Sequence, residues 1–287
     1  MLFFKRKKKR EVSSSLQTDG AKKGKKQFVL AIDKRQKFVL GVMVLSGILF
    51  VSEFQFGRSG LVVAVILGIL MDVILFWAIK EDLKENFTPS VFILPFFYSL
   101  SFGLFYFLVP ARLIFRLLLT AFFAFGAYSL FLSKNIFTVS SIRTIALLSG
   151  ARIVSFILTM LSYFFLSNII FTLHLHLIFV LPLMVLYTFP LAYQSLWSYA
   201  PAKTPNRQLL EWAGGLTLCM IEIAAVLWFW PSTPTVIALF LAGFFYTIVG
   251  ISHVWFEKRL FRGVMWEYVW VGATVCFVLL LFTSWGK

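Results

Sequence analysis

Long apolar runs separated by short polar stretches make up the chain after residue 37. A helix that crosses a bilayer needs about 20 mostly apolar residues, and nine runs in the chain approach or exceed that length. The connections between them are too short for a folded domain outside the membrane. The pattern therefore predicts an all-α, polytopic integral membrane helix bundle, one domain over residues 38–285 with about nine transmembrane helices. The predicted spans are residues 38–56, 61–79, 91–109, 113–133, 144–166, 175–193, 212–230, 235–256 and 268–285.

Composition agrees with a membrane protein. Hydrophobic residues make up 60% of the chain and charged residues 14%, with a mean hydropathy of +0.88. A soluble domain of this size has no core large enough to bury so many apolar side chains. The weakest boundary is in the fifth run, because Arg152 interrupts it and an alternative helix at 153–173 competes. The choice between eight and nine spans depends on that region.

A basic tail precedes the first span. Residues 1–37 hold thirteen of the 27 Lys and Arg residues and three of the 12 acidic residues. They lack the apolar run and small-residue cleavage site of a secretory signal peptide, so we expect a disordered cytoplasmic tail. Lys and Arg before a first membrane helix are typical of topology determinants attracted to anionic headgroups, and no nucleic-acid motif accompanies them. The predicted partners of the tail are membrane lipids rather than nucleic acid.

The distribution of positive charge predicts the threading. With the N-terminus in the cytoplasm, 22 Lys and Arg residues lie on the cytoplasmic side and four outside, with Arg152 inside a span. Cytoplasmic loops of membrane proteins carry such an excess. We therefore expect a cytoplasmic N-terminus and an outer C-terminus, in a bacterial cytoplasmic (inner) membrane.

Three ionisable residues lie inside predicted spans. Asp72 and Arg152 fall about 10 and 12 Å from the cytoplasmic ends of their helices, at 1.5 Å per residue. Similar depths favour an ion pair between them, which lowers the cost of burying each charge. The alternative is that Arg152 reaches the headgroups, while Asp72 is protonated or faces water. Glu222, near the middle of the seventh span, is expected to be protonated or hydrated.

Small residues recur at helical spacing on the same helices. In the second span, three of them share a face with Asp72, at intervals of four residues. Such faces let two helices approach closely, which favours packing within the bundle or against a protein partner in the membrane. The predicted packing residues are Gly60, Ala64, Gly68, Gly215, Gly243 and Gly250.

No motif in the sequence specifies a reaction. His174 and His176 are two residues apart and fall on different helix faces, so no metal site is predicted, and no nucleotide or hydrolase motif suggests a cofactor or a catalytic residue. The preferred interpretation is a non-catalytic membrane component that packs with partners or lipid. One alternative is a transporter of small solutes or ions, with a polar route lined by Glu222, Asp72 and Arg152. A lipid-processing membrane enzyme is the second alternative.

Overall fold

The computed structural model describes residues 34–56, 60–83, 88–109, 112–140, 147–199, 207–258 and 261–283. Within these ranges all regular structure is α-helical, and each of the nine helices is long and apolar enough to cross a membrane. The prediction of an all-α bundle with nine such helices is confirmed. The helices are α1 (Lys34–Phe56), α2 (Gly60–Leu83), α3 (Ser90–Leu108), α4 (Leu113–Ser140), α5 (Leu148–Thr172), α6 (Leu177–Tyr199), α7 (Arg207–Trp228), α8 (Pro234–Phe256) and α9 (Arg262–Leu281).

Several helices extend beyond the apolar runs that predict them. The last four residues of the predicted tail form the first turn of α1, and residues 1–33 lie outside the described ranges. α5 continues to Thr172, six residues past its predicted end. The sequence there turns polar at Ser167 and Asn168, but both side chains are buried and hydrogen-bonded to neighbouring helices, Ser167 to Tyr187 on α6 (2.8 Å) and Asn168 to Thr235 on α8 (3.1 Å). A helix can therefore continue where a count of apolar residues ends it.

Successive helices run antiparallel. The ammonium group of Lys37, at the start of α1, lies 5.4 Å from the ring centroid of Trp77, near the end of α2. At the other side of the bundle, the indole of Trp228 at the end of α7 donates to the carbonyl of Leu175, just before α6 (3.1 Å). We call the side where α1 begins the N-face. The starts of the odd-numbered helices and the ends of the even-numbered helices lie there.

The small-residue face of α2 packs against α3. A Cβ atom added to Gly60 would lie 2.8 Å from the ring of Phe107, and one added to Gly68 would lie 2.9 Å from the ring of Phe96. Between them, Ala64 is fully buried against Gly103 of α3. Close packing of this kind holds helices together in lipid, where the solvent is as apolar as the side chains.

α9 lies at the edge of the bundle and packs mainly on α8. Two glycines of α8 make room for its side chains: Gly243 meets Val275, and Gly250 meets the ring of Tyr268. Gly215 does not behave as its helical spacing predicts. It lies on an exposed side of α7, with no heavy atom of a described residue within 4 Å of an added Cβ, because this face of α7 has no helix against it.

Candidate functional site

Arg152 binds the N-face ends of two other helices. Its Nε donates to the carbonyl of Ser198 (3.1 Å) and its Nη2 donates to that of Tyr199 (3.3 Å), both in the last turn of α6. Its Nη1 forms an ion pair with Oε1 of Glu257, the residue that follows α8 (3.2 Å). The last carbonyls of a helix have no partner within it, and a planar guanidinium can satisfy several acceptors at once. Arg152 therefore joins α5, α6 and α8 at one level.

The predicted pair between Asp72 and Arg152 is wrong. Arg152 lies one turn inside α5 and is occupied by Glu257 and the two carbonyls. Asp72 and Arg152 lie at similar depths along their predicted spans, but depth does not indicate which helices are neighbours. The partner that spacing did not predict is Glu257, the residue that follows α8.

Beside Arg152, a histidine is packed among polar and aromatic groups. The ring of His253 stacks on Tyr199 at 3.8 Å between centroids, and Phe156 packs against it edge-on at 5.0 Å. Its Nε2 lies 3.1 Å from Oγ of Ser195. Both His253 and Ser195 are 3% exposed. A serine and a histidine at this distance resemble a nucleophile and its base, but a substrate has no access to either one in this conformation, so the contact is one of helix packing.

Asp72 of α2 and Lys134 of α4 lie on two helices that are in contact. Lys134 is completely buried. Its Nζ and the Oδ1 of Asp72 are both shielded from solvent, and neither makes a hydrogen bond to any residue that the structure describes. Each polar atom therefore has unused hydrogen-bonding capacity in a medium where that is costly.

The carboxyl group of Asp72 lies at the wall of an apolar groove. This α2–α3–α6–α7 groove has a volume of about 570 Å³ and is open towards the side of the bundle. Trp77 marks the N-face level of α2, and Asp72, five residues earlier, lies roughly 7.5 Å deeper at 1.5 Å per residue. The groove thus extends from the N-face ends of these helices towards the middle of α2. Its walls include Asp72, Phe92, Ile93, Phe96, Phe189 and Tyr193.

Glu222 lies in a different place, on the outer surface of α7. Its side chain is exposed and makes no hydrogen bond or ion pair with another residue in the described part of the chain. It borders a second apolar groove of about 360 Å³ between α7, α8 and α9, which we call the α7–α9 groove. Glu222 is six residues from Trp228, the end of α7, so Asp72 is closer to the middle of its helix than Glu222 is.

Lys134 lies inside α4, although the charge pattern predicts a cytoplasmic loop there. The helical period contains the missing information. Phe123, Ala127 and Leu130 are buried, and positions 134 and 137 continue the same face. A window that stops at the first charge ends the helix at residue 133, whereas the period extends it through Lys134 to the buried ring of Phe137.

The three predicted charged residues do not share one site. Asp72 and Glu222 border separate grooves, and Arg152 is part of the helix junction at the N-face. Within the described ranges, no three His, Cys, Asp or Glu side chains are close enough together to hold a metal ion. The arrangement offers two open apolar grooves, each bordered by one acidic side chain.

Comparison with known proteins gives a family without an assigned activity. Residues 40–283 match the model of one family, described as a protein of unknown function, DUF5656. No curated protein and no solved structure matches the chain. The matched region contains nearly all of the nine helices, including both grooves.

Proposed function

The chain is a member of the DUF5656 family, and we propose that it is a non-catalytic membrane component that binds a transmembrane helix of another protein in the α7–α9 groove. The observation that supports this proposal most directly is Glu222. Its exposed carboxyl group is unpaired within the described residues, in a helix long and apolar enough to cross a membrane.

Glu222 is costly where it stands. It lies about 9 Å along α7 from Trp228, at 1.5 Å per residue, and aromatic residues such as Trp favour the membrane surface. A carboxyl group at this depth is unfavourable in hydrocarbon unless another group donates a hydrogen bond to it or neutralises its charge. A partner helix that presents a hydroxyl, amide or basic side chain at this level would supply the donor.

The groove beside Glu222 provides apolar surface for such a helix. α9 packs mainly on α8, so the surface between α7 and α9 is uncovered. Val226 lines this groove and is more than half exposed. Side chains of a partner helix that filled this surface would gain the van der Waals contacts that drive helix association in lipid.

The alternative transport function has less support. It requires Glu222, Asp72 and Arg152 to line one route, and the three residues lie in separate places. A lipid-processing enzyme requires an accessible acid, base or nucleophile, and the Ser195–His253 contact is buried. The position of Glu222 at the α7–α9 groove, apart from Asp72 and Arg152, supports partner binding over both alternatives.

We also propose that the basic tail binds anionic headgroups on the cytoplasmic side of a bacterial inner membrane. The proposal rests on the charge of residues 1–37, of which 1–33 lie outside the described ranges. Attraction to an anionic surface is worth about 1 kcal/mol per Lys or Arg near the membrane. A tail with this charge would hold the N-face against the inner leaflet.

The test of partner binding is site-specific photocrosslinking in native membranes. A photoreactive amino acid at Val226 should give one discrete adduct with another membrane protein, and one at Val62, on the exposed side of α2, should not. In the Val226 background, Glu222→Leu should weaken the adduct by about tenfold, the loss expected for one strong hydrogen bond. Glu222→Gln, which retains an acceptor, should weaken it far less.

Three results would contradict the proposal. One is crosslinking at Val226 to lipid alone. Another is an adduct of twice the mass of the chain, which would identify a second copy as the occupant. The third is an adduct that is equally strong with Glu222→Leu, because binding would then not depend on the carboxyl group.

A further inference from the structure

A separate cavity lies at the end of the bundle opposite the N-face, between the α5–α6 and α7–α8 connections. We call it the His174 cavity, after one residue of its wall. We propose that it binds a small neutral phenol, a substituted benzene ring whose one free hydroxyl group donates a hydrogen bond to Nε2 of His174. This inference goes beyond the partner helix of the α7–α9 groove and does not depend on it.

The His174 cavity has the size and lining of a site for an aromatic ring. It is partly enclosed and has a volume of about 270 Å³. A cavity of about 150 Å³ lined by aliphatic and phenylalanine side chains is enough to hold benzene, so this one has room for a ring with substituents. Its walls include Phe171, His174, Leu175, Val180, Trp228 and Trp230.

The two indole rings of the wall are each held by a hydrogen bond to another part of the protein. Nε1 of Trp228 donates to the carbonyl of Leu175 (3.1 Å), and Nε1 of Trp230 donates to Oγ1 of Thr283, just after α9 (2.8 Å). Both indole N–H groups are therefore used, and the rings offer a ligand their aromatic surface. Aromatic rings that are fixed in this way favour an aromatic ligand, which can pack on them in offset or edge-on geometry.

His174 supplies a hydrogen-bond acceptor. Its Nδ1 lies 2.7 Å from the carbonyl oxygen of Thr172. Because a carbonyl can only accept, Nδ1 carries the hydrogen, and Nε2 of the neutral ring remains as an acceptor. The side chain is exposed, whereas Oγ of Ser232, another polar atom of the lining, is shielded from solvent. A ligand of this cavity is therefore expected to bring one hydrogen-bond donor.

The backbone at His174 supports a role for its side chain. Its φ of 47° lies in the left-handed region, which glycine adopts without steric cost. A residue with a side chain in such a conformation is costly, and residues of this kind are frequent at ligand sites. Here the imidazole that occupies the strained position is also part of the cavity wall.

The lining favours a phenol over other small ligands. A sugar carries several hydroxyl groups, and most of them would be left without partners against Leu175, Val180 and Ile237. A carboxylate would meet the acceptor Nε2 without a donor of its own. The described lining includes no acidic side chain, so an organic cation would be held by the aromatic faces alone. A phenol buries its ring and uses its single donor.

The test uses the full chain purified into nanodiscs of phosphatidylcholine, and a phenol with a photoreactive diazirine para to its hydroxyl group. Mass spectrometry should place the label within residues 170–180 and 228–237, which line the cavity. Unlabelled 4-methylphenol should compete. Its methyl ether, 4-methylanisole, has no donor and should compete about tenfold less well at equal concentration in the membrane, the effect expected for one hydrogen bond.

Three variants test the residues. His174→Gly removes the acceptor and should weaken binding of 4-methylphenol about tenfold, while the left-handed backbone conformation suits glycine, so thermal unfolding should show an intact fold. Leu175→Trp, at a half-buried position, should fill the cavity and abolish labelling, and it keeps the carbonyl that Trp228 binds. His176→Ala is the matched control, since it removes an exposed imidazole outside the described lining and should leave labelling unchanged.

Equal competition by 4-methylanisole, or equal binding of 4-methylphenol by the His174→Gly protein, would overturn the proposal, because the hydroxyl group and the imidazole would then not interact. Stronger competition by benzyltrimethylammonium would overturn it in favour of an organic cation. Labelling that persists in Leu175→Trp would show that the phenol binds elsewhere on the protein.

Discussion

Arg152 and Glu257 form an ion pair of 3.2 Å between residues that lie 105 positions apart in the chain. The same guanidinium group holds two carbonyls at the end of α6 and lies with its central carbon 5.0 Å from the centroid of the Tyr199 ring. One side chain thus connects three helices on the N-face.

Removal of this arginine is expected to destabilise the bundle. Arg152→Gln should lower the free energy of unfolding by about 2–3 kcal/mol, because charge-assisted hydrogen bonds contribute more than neutral ones. Glu257→Gln should cost less, and the double variant should cost less than the sum of the two. Thermal unfolding in detergent measures all three. The matched control is Arg207 with Glu211, an exposed pair of 2.8 Å on α7, whose loss should cost at most about 0.5 kcal/mol. Additive losses for Arg152 and Glu257 would show that they do not interact.

Two residues in left-handed backbone conformation offer a gain in stability. His174 (φ 47°) follows the C-cap of α5, and Lys258 (φ 56°) follows that of α8. Glycine adopts this conformation at the end of a helix without steric cost. His174→Gly and Lys258→Gly should each raise the unfolding free energy by about 0.5–1 kcal/mol.

The control for these glycine variants is the neighbouring residue Leu173, which has an ordinary helical φ of −71°. Leu173→Gly should instead lower stability, by about 1 kcal/mol. Melting curves followed by circular dichroism distinguish the two signs. A loss of stability on both His174→Gly and Lys258→Gly would mean that their side chains contribute more than the backbone strain costs.

Substitution by alanine should have different effects on stability at two of the glycines, because their surroundings differ. A methyl group at Gly250 would fall on the ring of Tyr268, whereas one at Gly215 meets nothing within 4 Å. Gly250→Ala should therefore destabilise the protein by about 1–3 kcal/mol through overpacking. Gly215→Ala should be neutral or stabilise it by up to about 1 kcal/mol, because alanine is the better helix former. Thermal unfolding tests both, and a destabilising Gly215→Ala would indicate a helix packed on that face.

The sequence was sufficient for the number of helices because each one must satisfy its own backbone in hydrocarbon, which requires a long apolar run. It was insufficient for the contacts of the charged residues. Depth can be read from position along a helix, but the partner of Arg152 depends on which helices are neighbours. Nothing local in the sequence indicates that α8, rather than α2, ends beside the start of α5.

The spacing of residues along the sequence was also insufficient to predict the grooves. Glu222 and Gly215 lie seven residues apart on one helical face, and that spacing predicts packing equally well on any side of α7. In the structure this side has no helix against it, so Gly215 and Glu222 are both exposed. A helical face shows which residues act together, whereas its surroundings depend on the packing of the whole bundle.

Threading remains a prediction from charge, and reporter fusions can test it. Residues 84–87, 141–146 and 200–206 each follow an even-numbered helix and precede an odd-numbered one, so fusions placed there should report cytoplasm. One at residues 57–59 or 110–111 should report the outer side. Because α4 runs to Ser140, a fusion at Asn135 would interrupt a helix and is not suitable. Outer-side reporters at the first three sites would mean that the excess of Lys and Arg does not set the orientation.

The position of α9 has a consequence for how the protein is made. Among the nine helices, α9 is the last to leave the ribosome, and it packs mainly on α8, through Gly243 and Gly250. The other eight helices can therefore reach their final arrangement while α9 is still being synthesised, and its insertion then adds one helix to a finished surface. During that interval α7 and α8 are uncovered along the surface that later borders Glu222. A partner helix inserted at the same time could occupy this surface before α9 closes its second side.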